Sequence, residues 1–327
     1  MKTNETLVSV IIVNWNGAEV LPECLKSLLA LNYKNIEIIV VDNGSTDDSI
    51  SIINGICGNK VKIIRLKENL GFTAGMNAGF DDAKGEFIAT LNNDMVVEPS
   101  WLDQPLELLF KDKSIGIVSC RQMNYYNRAK IDSLYHYITK WFILMPFGYG
   151  RKFCDDNLFS KTGYVMSANG GSIILRAKTL KTLGGYDADF FGYMEETDFC
   201  LRAFLHGWRC VYAPDAVVYH MNSFSFKKNM EYKYYLLTRN RFWFIYKNIP
   251  DKDIFKRLPY IFAFELRAFI VFCIKFGKPP LYLKAIRDAI RGFKRYKEIR
   301  KENTALFKEK RAVFYRFEKY KKLDFMR

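Results

Sequence analysis

Two apolar runs close together constrain this chain most. Residues 7–13 read LVSVIIV and residues 36–42 read IEIIVVD. Uninterrupted β-branched runs suit strands covered on both faces, as in a parallel sheet. Between them, Leu21, Leu25, Leu28 and Leu29 keep helical spacing. Strand, helix and strand within about forty residues make a βαβ unit with a right-handed crossover. KIIRL (62–66), GEFIATLNND (85–94) and GIVS (116–119) continue the alternation. The expected fold is an α/β domain of nucleotide-binding type, a mostly parallel sheet flanked by helices.

With 327 residues, 49% of them hydrophobic, the chain can bury a large core. Its net charge of +15 invites a nucleic-acid reading, so the distribution matters. Residues 1–226 hold 22 Lys and Arg against 25 acids; residues 227–327 hold 28 against 10. The excess belongs to the last third, where no recognition motif accompanies it, so no nucleic acid is expected as a partner. Seven scattered cysteines without a C-x-x-C pair argue against a disulfide framework or structural zinc site and suit a reducing compartment. The N-terminal apolar run is broken by Asn14, too short for a signal peptide. A cytoplasmic protein is the expectation.

Ligands of open α/β sheets sit beyond the carboxyl ends of the strands. Those ends carry Asn14-Trp15-Asn16, Asp42-Asn43 and Asn92-Asn93-Asp94. No G-x-G-x-x-G follows the first strand and no G-x-x-x-x-G-K-[ST] occurs, which excludes dinucleotide dehydrogenases and P-loop enzymes. Asp42 can accept hydrogen bonds from a base or ribose, and Trp15 offers a stacking face; a turn cap explains Asp42 equally well. Asp94 suits a hard cation, with Asn92 and Asn93 as amide neighbours, although Asn and Asp also begin turns.

Residues 190–202, FFGYMEETDFCLR, place Glu195, Glu196 and Asp198 among apolar neighbours. A buried carboxylate needs a cation, a proton or a partner. Asp198 and Arg202, four apart, suit a helical pair. A helix N-terminus accommodates one further acid but does not explain two. In AVVYHMNSFS (216–225), a strand-like run ends at His220, whose imidazole suits a metal or a phosphate, or simple packing. The aromatic stretch 120–165 either shapes an acceptor pocket or packs as a satellite cluster.

From residue 227 onward, large apolar residues mix with Lys and Arg, and the longest uncharged runs are seven residues. A spanning helix needs about 20. Amphipathic helices on an anionic membrane surface fit this pattern, as does a helical appendage with a solvated basic face. Two domains are expected, 1–226 and 227–327. The last stretch, from Glu302, reads as a helix with a mobile end.

Together these blocks resemble the inverting family 2 glycosyltransferases with the GT-A fold, and within them the rhamnosyltransferase-like branch. SVIIVNWNG resembles the family's opening strand and IEIIVVDNGSTDDS its nucleoside-binding block. ENLGFTAGMNAG, containing Asn77, resembles its Asn-x-Gly-Phe stretch, and LNND its D-x-D variant. The long segment from Gly170 to His220 resembles its acceptor and catalytic block. The resemblance implies a Rossmann-like GT-A domain with a helical, basic-aromatic extension. It also implies a nucleoside diphosphate sugar donor (dTDP-rhamnose or a UDP-sugar) bound by Asn14, Trp15, Asn16, Asp42, Asn77, Asn92 and Asn93. Asp94 and His220 would hold Mg2+ or Mn2+. Gly170, Gly171 and Glu195 would face the acceptor, and Glu196 would be the base. Here Glu196 stands where the family usually has Asp, and Met76 where Asn or Arg is common. A lipid-linked glycan acceptor, with the enzyme peripheral on the inner face of the membrane, completes the expectation. A sugar nucleotidyltransferase, or a non-catalytic glycan- or membrane-binding relative, is the alternative.

Overall fold

The computed structural model describes residues 5–221 and 230–319. Strands β1 (Val8–Asn14), β2 (Ile36–Asn43), β3 (Val61–Leu66) and β4 (Phe87–Asn92) lie in parallel, in the order β3-β2-β1-β4. Helices α1 (Leu21–Leu29), α2 (Ser49–Cys57) and α3 (Phe72–Asp82) make the crossovers. After the short β5 (Met95–Val97) and α4 (Asp103–Lys111) comes the long β6 (Ile115–Asn124).

All of β1 is buried, because both of its faces are covered. Val8, Val10 and Ile12 point into one core with Leu21, Leu25 and Trp101; Ile11 and Val13 point into the other with Met76, Tyr186 and Phe199. The period of two along a strand divides the residues in this way. On α3, Gly75 and Gly79 face Val13 and Ile11 so closely that a methyl group there would overlap them, which lets the helix lie near the sheet.

The stretch 120–165 contributes both strands and core residues. It supplies β7 (Ile131–Ser133), a separate hairpin of β8 (His136–Ile138) and β9 (Leu144–Pro146), and then β10 (Gly163–Val165). Leu134, Tyr135 and Phe159 from it are buried in the second core. Next come β11 (Ser172–Arg176), α5 (Ala177–Leu183), α6 (Glu195–Leu205) and β12 (Arg209–His220). The sheet continues β4-β11-β6-β12-β10, with β11 antiparallel to both neighbours and β12 parallel to β6.

The extension consists of α7 (Met230–Asn248), α8 (Asp251–Phe276), α9 (Pro279–Gly292) and α10 (Lys297–Lys319). A third core joins it to the body. Leu201 and Leu205 of α6, with Phe190 and Met194, pack against Trp243 and Phe244 of α7 and Phe307 and Phe314 of α10. The expected boundary at 226/227 and the expected mobile end after Lys319 lie outside the described residues. Among the described residues, no helix is long and apolar enough to cross a membrane.

Candidate active site

Three strand ends meet because of register. Pairing of β1 with β2 sets Asn14 beside Asp42, and pairing with β4 sets Val13 beside Asn92. Asn93 Nδ2 donates to Asn14 Oδ1 at 2.8 Å. Asn14 Nδ2 donates to Ser45 Oγ at 3.2 Å and to Asp42 Oδ1 at 3.4 Å. Asn16, in the left-handed region at φ 49°, donates its backbone N–H to Ser45 Oγ and accepts from Thr46 N at its Oδ1. Trp15 is 40% exposed, so one indole remains on the rim. The Asn92 side-chain oxygen is buried and has no hydrogen-bond partner among the described residues, an arrangement that costs free energy until a donor arrives. Asn77 stands apart from this group. Its amide donates to Tyr186 O and accepts from Tyr186 N, so it tethers the loop before the acids rather than facing the strand ends.

Register also brings Asp94 to His220. Antiparallel β5 and β12 pair Met95 with His220, and Met221 N donates to Asp94 O at 3.0 Å. His220 Nε2 thereby lies 3.3 Å from Asp94 Oδ2. A bulge in the pairing of β6 with β7 delivers Asp132 to the other ring nitrogen, with Nδ1 2.8 Å from Oδ2. Burial by itself would lower the imidazole's proton affinity. Hydrogen bonds to Asp132 and Asp94 outweigh it and push the pKa up to about 10. Sequence reasoning misses Asp132, whose signal is a single acid inside the apolar run KIDSLYHYI. A carboxylate behind an imidazole is also how metal-binding histidines are oriented. Among the described residues, no group of three or more His, Cys, Asp or Glu is arranged to hold a metal ion.

The segment 167–171 joins this half to the acids. Asn92 N donates to Gly171 O at 2.9 Å, and Gln122 donates to Asn169 Oδ1. The Asn169 amide in turn donates to Cys120, Ser133 and Leu134 carbonyls. A Cβ on Gly170 would lie 3.2 Å from Glu196 Cδ, and one on Gly171 would overlap Met95. The room these glycines leave is therefore filled by Glu196 and Met95. Glu196 lies against the residue next to the one that bonds Asn92.

Glu195 and Glu196 begin α6 and are both buried. Glu195 Oε2 has no hydrogen-bond partner among the described residues. Burial first, then the neighbouring Glu196 charge, pushes the Glu195 pKa well above the usual carboxylate range. Glu196 Oε1 is 3.2 Å from His136 Nδ1, an ion-pair distance without hydrogen-bond alignment. His136 is a second residue that sequence reasoning misses, hidden in the aromatic stretch.

The loop before the acids is strained. Phe191, Tyr193 and Met194 have φ of 65°, 68° and 75°, a region costly for residues with side chains. Helix α7 holds it there. Asn240 Nδ2 lies 2.9 Å from Phe190 O, 2.8 Å from Gly192 O and 2.9 Å from Tyr193 O. Arg239 Nη2 donates to Asp189 O and Phe190 O. One turn into α6, Asp198 accepts from Arg202 at 2.8 Å, Lys247 at 2.9 Å and Asn248 at 2.9 Å. Burial would raise its pKa, but Lys247 and Arg202 hold it down at about 2. The expected Asp198–Arg202 pair is present, with two partners from α7 added.

The curled, mostly parallel sheet with these acids beyond its strand ends is the GT-A glycosyltransferase architecture. A model of the family described as Glycosyl transferase family 2 matches residues 9–178, and the chain belongs to that family. It is 31% identical to Glycosyltransferase GlyG of Streptococcus pneumoniae over 155 residues, 46% of this chain and 47% of that one. It is 32% identical to the chondroitin synthase of Pasteurella multocida over 119 residues, 36% of this chain and 12% of that one. The chain thus spans half or less of the length of these curated relatives. Among solved structures, Staphylococcus aureus TarS 1-349 superposes with a TM-score of 0.58 at 17% identity, covering 95% of this chain and 89% of that one. TarS 1-349 has also been solved with UDP-GlcNAc. The mannosyltransferase PcManGT of Pyrobaculum calidifontis, in complex with GDP-Man and Mn2+, gives 0.56 at 16% identity, covering 96% and 87%.

Proposed function

We propose that this glycosyltransferase moves a sugar, with inversion, from a nucleoside diphosphate sugar to a hydroxyl of a lipid-linked glycan in cell-surface polysaccharide assembly. The observation that carries the reading is the contact path from Asn92 through Gly171 and Gly170 to Glu196. It links a buried carboxylate to the strand end at Asn92 through two glycines. Asp42 would meet the nucleoside, with Trp15 stacking, Asn16 shaping the turn and the buried Asn14 amide, committed to Asp42, Ser45 and Asn93, holding the strand ends in place. Asn92 and Asn93 would face ribose and sugar; the unpartnered Asn92 oxygen supports this. Asn77 is left out, since its amide is committed to Tyr186. The donor is proposed to be dTDP-rhamnose or a UDP-sugar, from the resemblance to the rhamnosyltransferase-like branch.

In the reaction, the acceptor oxygen attacks C1 of the donor sugar as Glu196 takes the hydroxyl proton. The C1–O bond to the diphosphate breaks, and its electron pair leaves with the nucleoside diphosphate. Glu195, pushed toward its protonated form, can donate a hydrogen bond to the acceptor. A divalent cation would be held by Asp94 and His220, an imidazole backed by Asp132, once it displaced the proton that the two carboxylates favour on the ring. When bound, Mg2+ or Mn2+ would supply Lewis-acid stabilisation of the leaving diphosphate.

Glu196→Gln should cut transfer about 10²–10⁴-fold while leaving donor-induced thermal stabilisation intact. Wild-type kcat in that variant would remove Glu196 from the mechanism. Screening UDP-, dTDP- and GDP-sugars for metal-dependent stabilisation identifies the donor. The basic excess after residue 226 supports a peripheral position on the inner face of the membrane.

A further inference from the structure

The outer face of α8 is unlike the rest of the surface. Phe255, Leu258, Phe262, Leu266, Ile270 and Ile274 recur every three or four residues, and all six are exposed, Phe262 by 70% and Ile274 by 81%. Residues so spaced share one side of a helix. The opposite side is also apolar: Ile261 and Phe272 are buried. A helix on a soluble surface normally turns its polar face outward, and contiguous exposed apolar residues mark a docking site. Among the described residues, the exposed charges on α8 are Lys252, Lys256, Arg267 and Asp251, and Asp251 is already paired with Arg300. Apolar residues bordered by basic ones are the pattern of an interfacial helix.

Residues on another side of α8 tie the helix to the site. Arg257 donates to Lys140 O at 3.0 Å, and the Lys140 ammonium lies 4.1 Å from the Tyr260 ring centre. These contacts fix the tip of the β8–β9 hairpin, where Trp141 is exposed. The same hairpin begins at His136, beside Glu196. Five residues of extended chain separate tip and base, a span of at most about 16 Å.

We propose that the outer face of α8, with the hairpin tip, docks on an anionic bilayer, so that a lipid-anchored acceptor reaches Glu196 along β8–β9. This names the surface for the membrane association proposed above and rests on that reading. Charge decides between a bilayer and a second copy. Residues 227–327 carry 28 basic against 10 acidic residues, so two copies would repel, whereas anionic headgroups complement them.

The test is flotation of the full-length chain with phosphatidylcholine vesicles, with and without phosphatidylglycerol. The wild type is compared with the Phe262→Asp, Ile274→Asp double variant, and melting temperature and donor binding are followed in parallel. The wild type should float with the anionic vesicles. The double variant should bind them at least about tenfold more weakly, since two apolar anchors are lost, with melting and donor binding unchanged. Equal flotation of both proteins would overturn this surface and leave the membrane reading standing. Failure of the wild type to float at low salt would overturn both. A wild-type dimer that the double variant converts to monomer would assign the face to a second copy and overturn the proposal.

Discussion

The two halves of the candidate site are built by different means. The strand-end half, Asn14, Asp42, Asn93 and Asp94, is a set of polar residues whose positions follow from strand pairing, and Asn14 bonds across the strands to both Asp42 and Asn93. The acid half, residues 190–196, is a strained loop leading into α6, and the loop's carbonyls are held by α7, from beyond residue 226. Within α6 the contrast repeats between two acids three positions apart. Asp198 is fully compensated by Arg202, Lys247 and Asn248, while Glu195 keeps a buried oxygen without a hydrogen-bond partner among the described residues. A compensated acid anchors; an uncompensated one stores free energy that ligand chemistry can draw on. The C-terminal helices are thus part of the scaffold of the acids as well as a basic surface.

The largest way to break this contrast is Asp198→Asn, which leaves buried Lys247 with Asp187 as its counter-charge and buried Arg202 with the Leu183 and Gly185 carbonyls in place of a carboxylate. Denaturant unfolding should show a loss of about 3–5 kcal/mol. A loss under about 1 kcal/mol would mean that α7 does not brace α6 through this cluster. The sign of the pH effect follows from the depressed carboxyl. Its contribution is fully present above the ordinary value of 3.8 and is lost as pH falls through about 2. Wild-type stability should therefore decline below about pH 4, and the variant should lack that part of the slope.

Next in size is Asn240→Ala, which removes the amide from three carbonyls and should cost about 1–3 kcal/mol. The sharper readout is kinetic. The strand-end half is untouched, so kcat should fall while KM for the donor holds; equal effects on both would join the two halves. The smallest effect is expected from Glu195→Gln. A carboxyl with a raised pKa keeps its full contribution below the ordinary value of 4.5 and loses it as pH rises through the folded value. The amide should therefore melt higher than wild type at neutral pH, by about 1 kcal/mol, with the gap closing in acid and activity reduced. A variant less stable at neutral pH would show that Glu195 is compensated after all.

Much of the first half of the chain is legible in its sequence. β-Branched runs at 7–13 and 36–42 are readable because a strand buried on both faces admits little else. Asn14, Asp42 and Asp94 can be named because strand ends in such sheets face ligands. Asp132 and His136 are not legible in this way: each is a single polar residue in an aromatic stretch, and nothing local says that a bulge or a hairpin will turn it toward His220 or Glu196. Asn77 carries a family pattern, yet its amide binds Tyr186.

By itself the sequence determined the order of the βαβ units, the residues at the strand ends and the separation of basic charge into the last third, because periodicity, composition and neighbouring side chains are local properties. Only the tertiary structure decided which acids lost their counter-charges and which gained them. Proton affinity and strain depend on what packs from far along the chain, and Lys247, Asn248 and Asn240 come from a helix tens of residues beyond the acids they govern.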